Sequence, residues 1–169
     1  MVGHYVQKGI SLIELMITIA ILAILVVMGT ALTTQWSKQA ELDKAVWSLQ
    51  SAIDRARAEA LRNEFAIDQW QGTVTSQLCW DSTTQQLTIH QATSSGAASC
   101  LTPIVFSYQL ANTVTIKQLD DSAFTCLAFD DRAQPIDGAA QNISGSTNCS
   151  TSLGLKMSNG GLNETPTFN

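Results

Sequence analysis

The sequence predicts an α+β fold: one long N-terminal helix, membrane-spanning in its first half, packed through its second half on an antiparallel β domain. Three observations predict it. Residues 15–37 carry no charge, and 10–28 are almost entirely Ile, Leu, Val, Ala and Met. No proline occurs from Ile10 to Asn63. After Asn63 the texture changes to Thr, Ser, Gln, Val and Gly with alternating apolar residues, the period of strands. With 169 residues the chain has room for about one domain beside that helix.

The opening segment is short and polar, with Lys8 directly before Gly9, and the apolar run follows the glycine. A secretory signal peptide has the reverse order, with its apolar core ahead of the cleavage site. At about 1.5 Å per residue the uncharged stretch is long enough to cross a hydrocarbon layer of about 30 Å, with Lys8 on the cytoplasmic side. Glu14 interrupts the start of this apolar run. A carboxylate at membrane depth costs roughly 2.5 kcal/mol or more and marks a partner. If the chain is cut after Gly9, Ile10 supplies a new terminal amine, and the amine of a neighbouring helix can pair with Glu14 and offset its desolvation.

Beyond the membrane segment, Leu42, Ala45, Val46, Leu49, Ala52, Ile53, Ala56, Ala60 and Leu61 recur at spacings of three and four, one apolar stripe for the β domain to cover. Trp36 and Trp47 fall on a face roughly opposite, as contacts to neighbouring helices or as interfacial aromatics, and Gly29-Thr30 is a point where the helix can soften. The helix closes on Ala56-Arg57-Ala58-Glu59-Ala60-Leu61-Arg62-Asn63, which taken alone reads as a solvated, charge-bearing face.

Two of these patterns carry a resemblance. Lys8-Gly9-Ile10-Ser11-Leu12-Ile13-Glu14-Leu15 resembles the class III prepilin signal of type IV pilins and type II secretion pseudopilins, with Ile10 where phenylalanine is commoner. Arg57, Glu59, Arg62 and Asn63 look like the AR-x-EA-x-RN pattern that ends the long helix in the FimT/FimU (GspH) class of minor pilins and pseudopilins. The resemblance spans the first third of the chain and implies a type IV pilin-like fold. It implies a leader at 1–9, a helix at 10–63 with its transmembrane segment at 10–34, and a β-rich periplasmic or extracellular domain at 64–169. It also implies cleavage between Gly9 and Ile10 by a prepilin peptidase, N-methylation of Ile10, an assembly role for Glu14, and residence in the inner membrane before incorporation into a filament.

In the β domain the candidate strands are Thr73 to Trp80, Gln86 to His90, Ile104 to Leu110, Thr113 to Leu119, Thr125 to Asp130 and Leu153 to Ser158, with a hairpin across Leu110-Ala111-Asn112-Thr113. Leu127-Ala128-Phe129-Asp130-Asp131 is similar to a strand the class often follows with Asp and Gly, although Arg132 and Ala133 stand in place of a glycine. Cys79, Cys100, Cys126 and Cys149 allow three pairings; the sequence-local pair Cys79–Cys100 and Cys126–Cys149 is favoured because each bridge closes one loop-rich segment. An even count beside an export signal points to an oxidising compartment, and no CxxC spacing points to a metal.

No enzyme is expected. His4 lies in the leader and His90 stands alone; no phosphate loop, serine elbow or metal-spaced cluster occurs, and no cofactor or metal is called for. Asp120-Asp121 and Asp130-Asp131 lack EF-hand spacing and read as turn acids. The triplets at Asn142, Asn148 and Asn163 match the glycosylation pattern only weakly for a chain with a bacterial export signal. From Glu64 onward three basic residues face nine acidic ones, net −6, and the tail 157–169 has no Lys or Arg. That balance disfavours direct nucleic-acid binding, the mark of a FimT-like DNA-capture pilin. The leading expectation is a minor pilin that joins other minor pilins and the major pilin in a priming or tip complex. A GspH-like pseudopilin of type II secretion shares the same fold and processing.

Overall fold

The computed structural model describes residues 10–66, 73–137 and 149–168, without the side chains of 30–32. The segment 1–9 with Gly9 and His4, and the glycosylation triplets' Asn142 and Asn148, lie outside the described residues. The element order is α1 (Leu12–Arg62), β1 (Ser76–Asp81), β2 (Gln86–Gln91), β3 (Ile104–Gln109), β4 (Val114–Gln118), β5 (Cys126–Phe129), β6 (Pro135–Ile136), β7 (Leu155–Asn159) and β8 (Leu162–Glu164). The chain forms two units, 1–37 and 38–169.

In the first unit α1 runs unbroken through Gly29-Thr30, and Thr33 Oγ1 donates to the Gly29 carbonyl at 3.3 Å. Leu, Ile, Val and Ala keep every backbone bond inside the helix, the form a hydrocarbon layer demands. This is the one described helix long and apolar enough to cross a membrane by length and composition.

In the second unit the rest of α1 packs on two antiparallel sheets with strand orders β3-β2-β1-β5-β6 and β4-β7-β8. The predicted stripe is the buried face: Leu42, Ala45, Leu49, Ala52, Ile53, Ala56 and Ala60 are inside and Val46 is partly covered. Leu61 departs from it, 62% exposed, because one residue past buried Ala60 the helix has turned about 100° toward solvent. Alternation along the strands supplies the other half of the core: Leu78, Leu87, Ile89, Leu127 and Phe129 from the larger sheet, and Val114, Ile116, Leu155 and Met157 from the smaller. At the head of this unit Glu41 Oε2 accepts bonds from Thr113 Oγ1 at 2.9 Å and Asn159 Nδ2 at 3.1 Å, and Gln39 donates to Glu164 at 2.7 Å, tying the smaller sheet to the helix.

The expected hairpin at Leu110–Thr113 does not form. β3 pairs with β2 and β4 pairs with β7. Buried Leu110 is held by its N–H to the Gln85 carbonyl, while the Val114 N–H to Ala111 bond closes a turn that sends buried Val114 into the other sheet. Burial of both apolar ends outweighs local pairing. The short strands β6 and β8 had no sequence-level counterpart. β6 follows a turn in which Asp130 Oδ1 accepts the N–H groups of Arg132 and Gln134 at 3.0 and 2.7 Å and Ala133 adopts φ 58°. The position at which glycine is missing is thus a left-handed one occupied by alanine.

Three surface aspartates are held below the usual carboxylate range. For Asp121 the cause is the hydrogen bond and charge of Lys156, whose Nζ lies 2.8 Å away; for Asp120 it is the Ser122 hydroxyl, then its N–H; for Asp81 it is the Thr83 N–H, then the Thr84 hydroxyl. A carboxylate with a depressed folded-state pKa contributes stability above its unfolded pKa and loses it as pH falls through the folded one. The thermal midpoint is therefore expected to fall as pH drops below about 4, and Asp121→Asn should shrink that fall. An equal acid response in wild type and D121N would contradict the assignment.

Candidate functional site

The N-terminal end of α1 is built on Ser11, whose carbonyl accepts the N–H groups of Glu14 at 3.0 Å and Leu15 at 3.2 Å. Ser11 stands at the helix N-cap and Glu14 three residues on, the S-x-x-E spacing of a capping box, but the bonds that join the two are those of the backbone. Glu14 is exposed on a helix whose apolar neighbours are exposed as well, with Ile10 at 75%, Ile13 at 66% and Ile17 at 55%. A carboxylate in the first turn gains from the helix dipole by only about 0.3–1 kcal/mol. In hydrocarbon that does not offset the desolvation of a charged carboxylate.

The other predicted motif lies in the second unit and is solvated only in part: Ala58, Leu61 and Arg62 are exposed, whereas Ala56, Glu59 and Ala60 are buried. Glu59 is 3% exposed, with Arg55 Nη2 3.0 Å from Oε1 and Arg62 Nη1 3.8 Å from Oε2. Arg62 also reaches Glu64 at 3.2 Å, the Arg55 guanidinium lies 4.0 Å over the Phe106 ring, and Arg57 lies 5.9 Å from the Phe129 ring. Asn63 ends the helix at φ 33°, a position where asparagine is tolerated. The alanines explain the burial. Ala56 and Ala60 are 0% exposed and let β1 approach so closely that the Ser76 hydroxyl donates to the Ala56 carbonyl at 2.6 Å. The motif clamps the helix end to the sheet. Ala56→Leu is expected to cost about 1–3 kcal/mol by overpacking and loss of that bond, read as a lower thermal midpoint; an unchanged midpoint would show that the contact is loose.

His90 is buried on β2, its ring nitrogens engaged by Thr88 Oγ1 and the Thr102 carbonyl. Asp120 and Asp130 serve turns and Asp121 pairs with Lys156. Disulfides join Cys79 to Cys100 and Cys126 to Cys149, with Cα separations of 5.9 and 4.7 Å. Trp36 and Trp47 are 77% and 70% exposed.

A long helix with an uncharged apolar first half, followed by antiparallel sheets, is an α+β architecture of the type IV pilin-like kind. Residues 5–30 match the family model described as the prokaryotic N-terminal methylation motif, so the chain bears a pilin-like prepilin signal, which implies processing by a prepilin peptidase and assembly into a pilus. No curated protein and no solved structure matches the chain.

Proposed function

We propose that the protein is a minor pilin, a structural subunit rather than an enzyme. It is cut between Gly9 and Ile10, methylated on Ile10 and carried by its apolar helix from the inner membrane into a priming or tip complex with other minor pilins and the major pilin. The observation that carries this reading is Glu14, an exposed carboxylate in the first turn of an otherwise apolar helix, inside the methylation motif. In a filament the methylated amine of an adjacent subunit supplies the missing cation.

Intact-mass analysis of the protein from its own cells is expected to show a chain beginning at Ile10 and heavier by one methyl group. A chain retaining 1–9 would sink the reading. Deletion of the protein should reduce surface filaments, with DNA uptake failing only as a consequence. Normal filaments with lost DNA uptake or lost enzyme secretion would move the protein to DNA capture or to a pseudopilus.

A further inference from the structure

The disulfides tie Cys100 to β1 and Cys149 to β5, and the two bridges also stand in register with each other. Cys79 on β1 lies directly opposite Cys126 on β5. The Trp80 N–H to Thr125 carbonyl bond, 2.8 Å, marks the adjoining pair as hydrogen-bonded, which makes Cys79 and Cys126 a non-hydrogen-bonded antiparallel pair. Such pairs stand about 4.5 Å apart at Cα with side chains on the same face, within the range a disulfide spans. The remaining two sulfurs are also neighbours. Gln77, two residues before Cys79 and fully buried, directs its Nε2 to Cys149 Sγ at 3.1 Å and to Cys100 Sγ at 3.4 Å, while its Oε1 has no hydrogen-bond partner.

We propose that these four half-cystines form an exchange-competent cluster, so that the protein is a substrate for a thiol-disulfide isomerising partner. The entry point is Cys100, which is half-buried and, with Cys79, Thr88 and His90, lines an open cleft of about 330 Å³; the other three cysteines are buried. A thiolate attacks Cys100 Sγ, forming a mixed disulfide and breaking the bond to Cys79, which leaves as a thiolate. Cys79 then attacks Cys126 Sγ across the strand pair, and the electron pair of the broken bond passes to Cys149. Cys149 attacks Cys100 in the mixed disulfide and expels the original thiolate. No net oxidation occurs. The product pairs Cys79 with Cys126 and Cys100 with Cys149, stapling two strands already bonded and removing the covalent ties of Cys100 to β1 and of Cys149 to β5, which leaves the Ala98 N–H to Val74 and Ser150 N–H to Cys126 backbone bonds to hold those segments. Gln77 is a positioning residue here: its amide N–H groups face Cys100 and Cys149, and stabilise the thiolate that forms on Cys149.

The test uses the full oxidised chain in detergent with catalytic reduced glutathione, quenched with acid, alkylated and cut with trypsin after Arg62, Lys117, Arg132 and Lys156. The starting pairing yields 63–117 alone and 118–132 joined to 133–156; the exchanged pairing joins all three. The three-peptide species is expected at least about fivefold above a thiol-free control, and its absence overturns the proposal. In a second measurement the variants C100S/C149S and C79S/C149S are reduced and reoxidised. Both can join 63–117 to 118–132, but the first, through Cys79 and Cys126, is expected to do so at least about tenfold faster, and equal rates overturn the proposed register. Gln77→Met should slow the wild-type exchange by about tenfold without lowering the thermal midpoint of the oxidised chain; an unchanged rate overturns the part assigned to Gln77.

Discussion

Phe129→Ala is expected to lower the unfolding free energy by about 3–5 kcal/mol, the cost of removing a large buried aromatic and leaving a partly collapsed cavity. Phe129 is fully buried on β5, in the same core as Leu49, Ile53, Leu78 and Leu127. Its carbonyl accepts the Thr75 N–H at 2.9 Å and the Thr75 hydroxyl at 3.2 Å. Those bonds belong to the backbone and survive the substitution, so the loss is one of packing, with a lesser part from the Arg57 guanidinium over the ring. For a domain whose whole stability is about 5–15 kcal/mol, this is a large fraction, and the thermal midpoint should fall by roughly 10–30 °C. Leu61→Ala, on an exposed site of the same helix, should stay within about 0.5 kcal/mol and serves as the control. A midpoint for F129A as close to wild type as that control's would show that the sheet does not seat on Phe129.

On the proposed function, Glu14→Ala is expected to reduce incorporation into filaments by about a hundredfold or more while leaving membrane insertion intact. Two effects compete in the first turn. Loss of a carboxylate from the first turn weakens the helix start by about 1 kcal/mol or less. Loss of one member of a desolvated ion pair costs about 3–5 kcal/mol, because the neighbouring amine is left uncompensated, and each 1.4 kcal/mol is tenfold in the equilibrium. The second effect decides assembly; insertion is helped, since a charge has left the hydrocarbon. The check is the ratio of filament-borne to membrane-borne subunit. A wild-type ratio would end the pairing role of Glu14.

The helix and its two faces were legible because they depend on period and charge, which the sequence carries directly. Leu42, Ala45, Leu49, Ala52, Ile53, Ala56 and Ala60 sit where their spacing put them. Six strands were likewise visible as short apolar alternations, with the starts at Gln86 and Ile104 exact and the other limits off by one to three residues. β6 and β8 were not, since two and three residues hold too little pattern and both depend on partners already in place. The sheet switch at Leu110–Val114 was missed for a related reason: turn chemistry is local, whereas the choice of sheet rests on where two buried side chains find room. Glu59 was misread because burial there comes from alanines that bring backbones together, a cause with no polar signature.

On the proposed function, which has the β domain exported, the place of β1 in the centre of its sheet also bears on how the chain folds. On one side β1 pairs with β2 across the tight Ser82–Gln85 connection, a hairpin that closes in roughly 1–10 μs. On the other side it waits for β5, about fifty residues later in the chain, and such distant pairings are slow. A chain emerging from its N-terminal end presents Cys79 and then Cys100 before Cys126 has appeared. Oxidation in order of emergence therefore closes the first bridge while the rival thiol is still absent, and the second bridge has only Cys126 and Cys149 left to join. Vectorial delivery selects the pairing that a refolding of the finished chain, with all four thiols exposed together, would have to find by trial.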